Sequence, residues 1–76
     1  MKGIKIITDN IKLGQFLKLS GIIVNGSEAK MFLEDNIVLV NGEEENRRGR
    51  KIYPGDVVVV QNKEYKVIVW FYEIYY

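Results

Sequence analysis

A chain of 76 residues that is 47% hydrophobic is too apolar for disorder and long enough for one modest core. Its net charge of +1 excludes a polycation, so any nucleic-acid footprint has to come from local clustering. With no cysteine and no histidine, disulfides, thiolate metal sites and imidazole general bases are excluded.

Ile4 to Thr8 is β-branched and partly alternating, which predicts an N-terminal strand. Asp9 or Asn10 is placed to cap a helix. Leu13, Phe16, Leu17 and Ser20 fall on one face at helical spacing, predicting a helix from about Ile11 to Leu19 that Gly21 stops. Gly14 lies inside it, at roughly 1 kcal/mol against alanine. Either another backbone approaches closely there, or it is a tolerated surface glycine.

Ile22-Ile23-Val24 reads as an apolar connector tucked into the core. Asn25-Gly26 breaks the chain, and Ser27 is a candidate cap for a second helix, with Glu28 in its first turn. Ala29, Phe32 and Leu33 form that helix's buried stripe. Lys30 flanks the stripe four residues before Glu34, which leaves a surface ion pair and a ligand contact both open.

Val38-Leu39-Val40 reads as a buried strand, and Asn41-Gly42 as a tight hairpin turn, because both residues tolerate positive φ. Three glutamates, 43 to 45, read as a solvated acidic turn. Arg47-Arg48-Gly49-Arg50-Lys51 then puts four cations in five positions. Pro54-Gly55-Asp56 predicts a second turn, and Val57 to Val60 another buried strand. Two strands therefore bracket a mobile basic loop. Gln61-Asn62-Lys63 reads as a turn and Tyr65 to Tyr72 as a last strand. Trp70, Phe71, Tyr72, Ile74, Tyr75 and Tyr76 cannot all be buried by alternation. That end is either covered on both faces or is an edge that meets another chain, so weak self-association through it stays open. No repeat, linker, signal-peptide pattern or run of roughly 18 apolar residues is present, so the expectation is a soluble cytoplasmic domain with no membrane partner.

Catalysis finds little support. Adjacent carboxylates at 43 to 45 point to different sides and make no general acid/base pair, no nucleophile motif is present, and no calcium-loop spacing occurs. The expectation is a protein without enzymatic activity or cofactor. The basic loop carries more chemistry. Arginine forks match phosphate oxygens bidentately, and Gly49 lets the loop wrap a backbone. Lys12 and Gln15 flank the apolar stripe of the first helix, Lys30 flanks that of the second, and the Asn25-Gly26 turn joins them. Together with the loop these groups could line one surface.

The succession of Leu13 and Leu17, Gly21, Ala29-Lys30, Val38-Leu39-Val40-Asn41-Gly42, Asn46 and Pro54-Gly55-Asp56-Val57 resembles the S-four RNA-binding domain, named after a small-subunit ribosomal protein. The resemblance covers about Lys12 to Val60, within one domain spanning residues 1–76. Leu13 to Gly21 and Asn46 to Asp56 look closer still to the small stand-alone bacterial YaaA-like branch. It implies an α+β fold, with two short antiparallel helices packed on a small, mostly antiparallel sheet (the alpha-L motif). It also implies a non-catalytic module that grips structured RNA, ribosomal or transfer, in some cases within a ribosomal particle. By position, Lys12 matches the cation that opens the first helix and Lys30 a cation within the second. Asn25-Gly26 departs from a common serine-arginine, and Glu34-Asp35 from common basic residues. Candidate RNA contacts are therefore Lys12, Gln15, Asn25, Lys30, Arg47, Arg48, Arg50 and Lys51.

Two other readings stand beside this one. A protein-interaction module would use the aromatic C-terminal strand. A β-grasp sulfur carrier shares the strand, the helix and the VNGE and GDVV segments, but it needs a terminal Gly-Gly where this chain has Tyr75-Tyr76, and it lacks a second helix at Ser27 to Asp35.

Overall fold

The computed structural model describes residues 1–69. The chain runs β1 (Lys2–Ile6), β2 (Ile11–Lys12), α1 (Leu13–Leu19), a 3₁₀ turn (Gly26–Glu28), α2 (Ala29–Asp35), β3 (Val38–Val40), β4 (Glu43–Glu44), β5 (Lys51–Ile52), β6 (Val57–Val60) and β7 (Lys63–Val69). Five strands form one sheet in the order β1-β7-β6-β3-β4, and β2 and β5 form a separate two-stranded ribbon. The β1–β7 pair is parallel; every other pair is antiparallel. Two short helices against a small, mostly antiparallel sheet are what the resemblance implied.

Register explains the core. Ile4 lies opposite Val67 and Ile6 opposite Val69. Val58 lies between Tyr65 and Val40, and Val60 is opposite Val38. All nine of these side chains are buried, so they share one face of the pleat. Leu13, Phe16 and Leu17 of α1 and Ala29 and Leu33 of α2 complete the same cluster. Phe16 meets Tyr65 edge to face, with ring centroids 5.6 Å apart, and this ties α1 to β7.

The valine runs at 38–40 and 57–60 are not buried on both faces as expected. Leu39, Val57 and Val59 remain half-exposed, because the core closes on one side of the sheet. A continuous apolar run cannot distinguish these cases.

Several boundaries differ from the sequence pattern. β1 starts at Lys2 and ends at Ile6, and the Thr8 hydroxyl donates to the Asn10 carbonyl as the chain bends. Helix α1 begins at Leu13, so neither Asp9 nor Asn10 caps it. Ile11 and Lys12 are drawn into pairing with Ile52 and Lys51, a tertiary contact that overrides helical periodicity. At the other end, Ile22 N–H donates to Leu17 O and Gly21 N–H to Lys18 O, with Gly21 at φ +83°. This is the helix stop expected of that glycine. The second helix is entered through the 3₁₀ turn rather than capped by Ser27. There the Glu28 carboxylate accepts the backbone N–H groups of Asn25 and Val24 at 2.8 and 3.2 Å. Of the connector, Ile23 is buried but Val24 is 77% exposed.

The three expected turns all form. Asn41 and Gly42 have φ of 52° and 85° and join Val40 to Glu43 across two residues. Gln61 and Asn62 do the same between Val60 and Lys63, at φ 52° and 62°. Pro54-Gly55 turns with Asp56 N–H donating to Tyr53 O. Two of these turns are bolted together. Asn41 Nδ2 donates to Asp56 Oδ1 at 3.0 Å, Val57 N–H donates to Asn41 Oδ1 at 2.9 Å, and Tyr53 N–H donates to Asp56 Oδ2 at 2.7 Å. The paired asparagine and aspartate thus fix the ends of β3 and β6 and the start of the segment that carries the basic loop.

Candidate nucleic-acid interface

Residues 45–50 form a loop pinned by hydrogen bonds to its own first residue and to the start of α1. Their anchor is Glu45, whose backbone N–H extends the hairpin by donating to Val38 O. Its side chain is buried, at 7% exposure, so the three glutamates are not one solvated turn: Glu43 and Glu44 face solvent and Glu45 does not. Arg47 Nε and Nη2 donate to the two Glu45 oxygens at 2.9 and 3.1 Å, and Arg47 N–H adds a third bond at 3.0 Å. Arg50 Nη1 donates to Oε1 at 2.8 Å. A carboxylate accepting this many charge-assisted bonds is strongly held in its ionised form. The Arg47 bond above all, opposed by burial and reinforced by Arg50, holds Glu45 at about 2, below the usual carboxylate range. Glu45 raises Arg47 in turn.

The pinned loop caps α1. Leu13 N–H donates to Arg50 O at 2.8 Å and Gly14 N–H to Arg48 O at 2.9 Å. Lys12 N–H is taken by the Gln15 side chain at 3.0 Å. These groups would otherwise lack helical partners. Gly14 therefore has a close-approach role: a Cβ there would sit 3.3 Å from Ala29 Cβ and 3.5 Å from both Arg48 Cβ and Arg48 O.

Around this junction lies an open concavity of about 440 Å³, lined by Lys12, Gly14, Gln15, Lys18, Gly26, Ala29, Arg48 and Gly49. It brings together four of the segments singled out in the sequence: the start of the first helix, the chain break at Asn25-Gly26, the second helix and the basic loop. Lys51 joins from the ribbon. Lys12 and Lys51 are direct cross-strand partners, both exposed, while Ile52 beside them is buried. Like charges directly opposite are destabilising. Among the described residues, Lys12, Lys18, Arg48 and Lys51 make no ion pair, whereas Arg47 and Arg50 are tied to Glu45. Asn25 and Lys30 are exposed but do not line the concavity, and Lys30 forms no ion pair with Glu34. Lys18 was not singled out by the sequence reading. The signal was there: Lys12, Gln15 and Lys18 recur every three residues along one flank.

A second concavity, of about 330 Å³, shares no residue with the first. Glu34, Asp35, Glu44 and Glu45 are among its lining side chains. The described residues contain no group of three or more acidic side chains placed to hold a metal ion. No helix among them is long and apolar enough to cross a membrane.

The model of the S4 domain family matches residues 4–68. The chain belongs to the S4 domain family. The match spans the sheet, the ribbon and both helices, and α2 is the element a β-grasp carrier would lack. The chain is also similar to a probable ribosome maturation protein, RlbA, of Bacillus subtilis (strain 168). The two are 57% identical over 58 residues, which is 76% of this chain and 82% of the relative. Residues Trp70 to Tyr76, for which burial on both faces and weak self-association were both open, lie outside the described residues.

Proposed function

We propose that this S4 domain protein is a non-catalytic module that binds structured RNA, with ribosomal RNA in a maturing particle as its target. The observation that carries this reading is the exposed Lys12–Lys51 pair beside Lys18 and Arg48. Four cations lie around one junction, and no acidic side chain is among the described residues that line the concavity there. Such a cluster is electrostatically costly alone and is relieved by an anion with several charges, as a folded RNA backbone offers. The relative's printed name, which concerns ribosome maturation, supports ribosomal over transfer RNA and a cytoplasmic site of action.

The contacts proposed are Lys12, Lys18, Arg48 and Lys51 to phosphate, with Gln15, Asn25 and Lys30 at the margin and Arg47 and Arg50 in support. Phosphate contacts position a protein on RNA, and shape and the 2′-hydroxyl supply discrimination. The test is binding of the full chain to folded ribosomal RNA fragments, and to transfer RNA, over a salt series. Four neutralised phosphates give a slope of log K against log salt of roughly −3. A slope near zero, or equal affinity for unstructured polynucleotide, overturns the reading.

A further inference from the structure

We infer that Glu45 is a positioning residue for RNA binding, a buried clamp that sets Arg48 and Lys51 beside Lys12 by holding Arg47 and Arg50. The inference rests on the RNA-binding reading and divides the basic loop into two functional classes that its sequence does not separate.

Three observations carry it. First, Glu45 is the one buried charged side chain among the described residues, and both its oxygens are committed to the loop's own arginines. Arg47 and Arg50 are thereby neutralised in part: two cations against one anion leave a single net charge. Second, the two carbonyls that cap α1 come from Arg48 and Arg50, and the second of these residues is itself held by Glu45. Releasing the carboxylate frees the loop from the start of the helix. Third, Arg48 and Lys51 alternate with the clamped residues and make no ion pair among the described residues, and Lys51 is in register with Lys12. A flexible loop with the same four cations would have to be ordered on binding, at an entropic cost the clamp has already met.

The sign of one substitution tests this. Glu45→Gln removes one of ten acidic residues and takes the net charge from +1 to +2. If Arg47 and Arg50 are ordinary phosphate ligands restrained by Glu45, freeing them tightens binding to RNA. If Glu45 is a clamp, binding weakens, about tenfold, despite the added charge. The probe is the ribosomal RNA fragment that the wild-type chain binds with the steepest salt dependence. Amide exchange on the same protein without RNA reads the mechanism directly. The Leu13 and Gly14 amides should exchange about tenfold faster in the variant, while those of Val58 and Val60 stay protected. Equal or tighter RNA binding, or unchanged exchange at Leu13 and Gly14, overturns the inference.

A second pair of variants needs no substitution at the buried position. Arg48→Ala should flatten the salt slope by roughly a quarter, the share of one of the four phosphate contacts. Arg47→Ala should weaken binding with the slope unchanged, and Arg47 is exposed enough for the fold to tolerate it. An equal loss of slope in both variants makes Arg47 a phosphate ligand and overturns the division. A wild-type chain that binds no structured RNA fails the functional reading itself, and is distinguished from failure of the clamp by the wild-type salt series alone.

Discussion

Two concavities on this protein, the cationic one at the α1 junction and the acidic one beside α2, differ in charge and are built from neighbouring stretches of chain. Lys12, Lys18 and Arg48 line one; Glu34, Asp35, Glu44 and Glu45 line the other. The loop 45–50 contributes to both, its first residues to the acidic hollow and its middle to the cationic one. This separation is why a net charge of +1 is a poor guide to partners. Averaged over the chain the charges cancel, but the fold sorts them within six residues of each other. Acids interleaved with a basic surface would weaken phosphate binding; acids set apart can repel RNA from the wrong face and orient its approach.

Reversing charge in each concavity should have the strongest and most unequal consequences. Lys12→Glu with Arg48→Glu should weaken binding to structured RNA on the order of a hundredfold at 0.1 M salt. Glu34→Lys with Asp35→Lys should change it by less than about threefold, the outcome expected if the acidic hollow lies away from the phosphates. Filter binding of both double variants checks this. Comparable losses from the two would mean that the faces are not functionally distinct.

The next effect falls on the seam beneath the cationic concavity. Gly14→Val puts a branched side chain where even a Cβ would lie 3.3 Å from Ala29 and 3.5 Å from the Arg48 carbonyl. Overpacking of this kind costs about 1–3 kcal/mol, and the valine has to push the loop off α1. Urea unfolding reads the stability, and RNA affinity should fall with it. A Gly14→Val protein as stable as wild type would show that the loop's contact with the helix is dispensable.

Much of this architecture is legible from the residues, and the illegible parts share a cause. Asn41-Gly42, Pro54-Gly55 and Gly21 announce their turns because positive φ and preset φ are local properties. The helical stripe at Leu13, Phe16 and Leu17 is equally plain, since its period is local too. What local chemistry does not show is pairing between distant segments. Ile11 and Lys12 leave the helix for β5, forty residues on, and Glu45 leaves an acidic run for the interior because two arginines of the next five residues meet it there. The candidate site suffered from the same limit. The cation pattern marks the loop and Lys12, but it does not separate Arg47 from Arg48 or single out Lys18, and the residues around Gly14 fit both of its readings.

A smaller effect is expected at the lock between the two turns, whose residues line neither concavity. Asn41→Ala removes two side-chain hydrogen bonds, to Asp56 and from Val57 N–H, and leaves a non-glycine residue at φ 52°. The loss should be about 1–2 kcal/mol in urea unfolding. The salt slope of RNA binding should remain that of the wild type, since no phosphate contact is touched. A changed slope would place the lock in the binding surface rather than outside it.

The smallest effect isolates Glu45, which lines the acidic hollow yet organises the loop of the cationic one. Its carboxyl is held at about 2, below the usual value near 4.5, so folding favours the ionised form. A group whose folded pKa is depressed contributes stability that is present above its unfolded pKa and is lost as pH falls through its folded pKa. The contribution of Glu45 is therefore complete above about pH 5 and disappears between about 4.5 and 2. Arg47, its main partner, is largely solvent-exposed, so screening reduces the effect to about 1 kcal/mol. Glu45→Gln has no proton to gain. In urea titrations at a series of pH values the wild type should lead the variant by a constant margin from pH 7 to 5, and the margin should close steadily below pH 4.5. Raised salt should shrink the plateau and narrow the window from its acid side, because one depression of the Glu45 pKa sets both. Parallel curves for the two proteins down to pH 2 would mean that Glu45 titrates like an ordinary surface acid, and the two concavities would then share no structural residue.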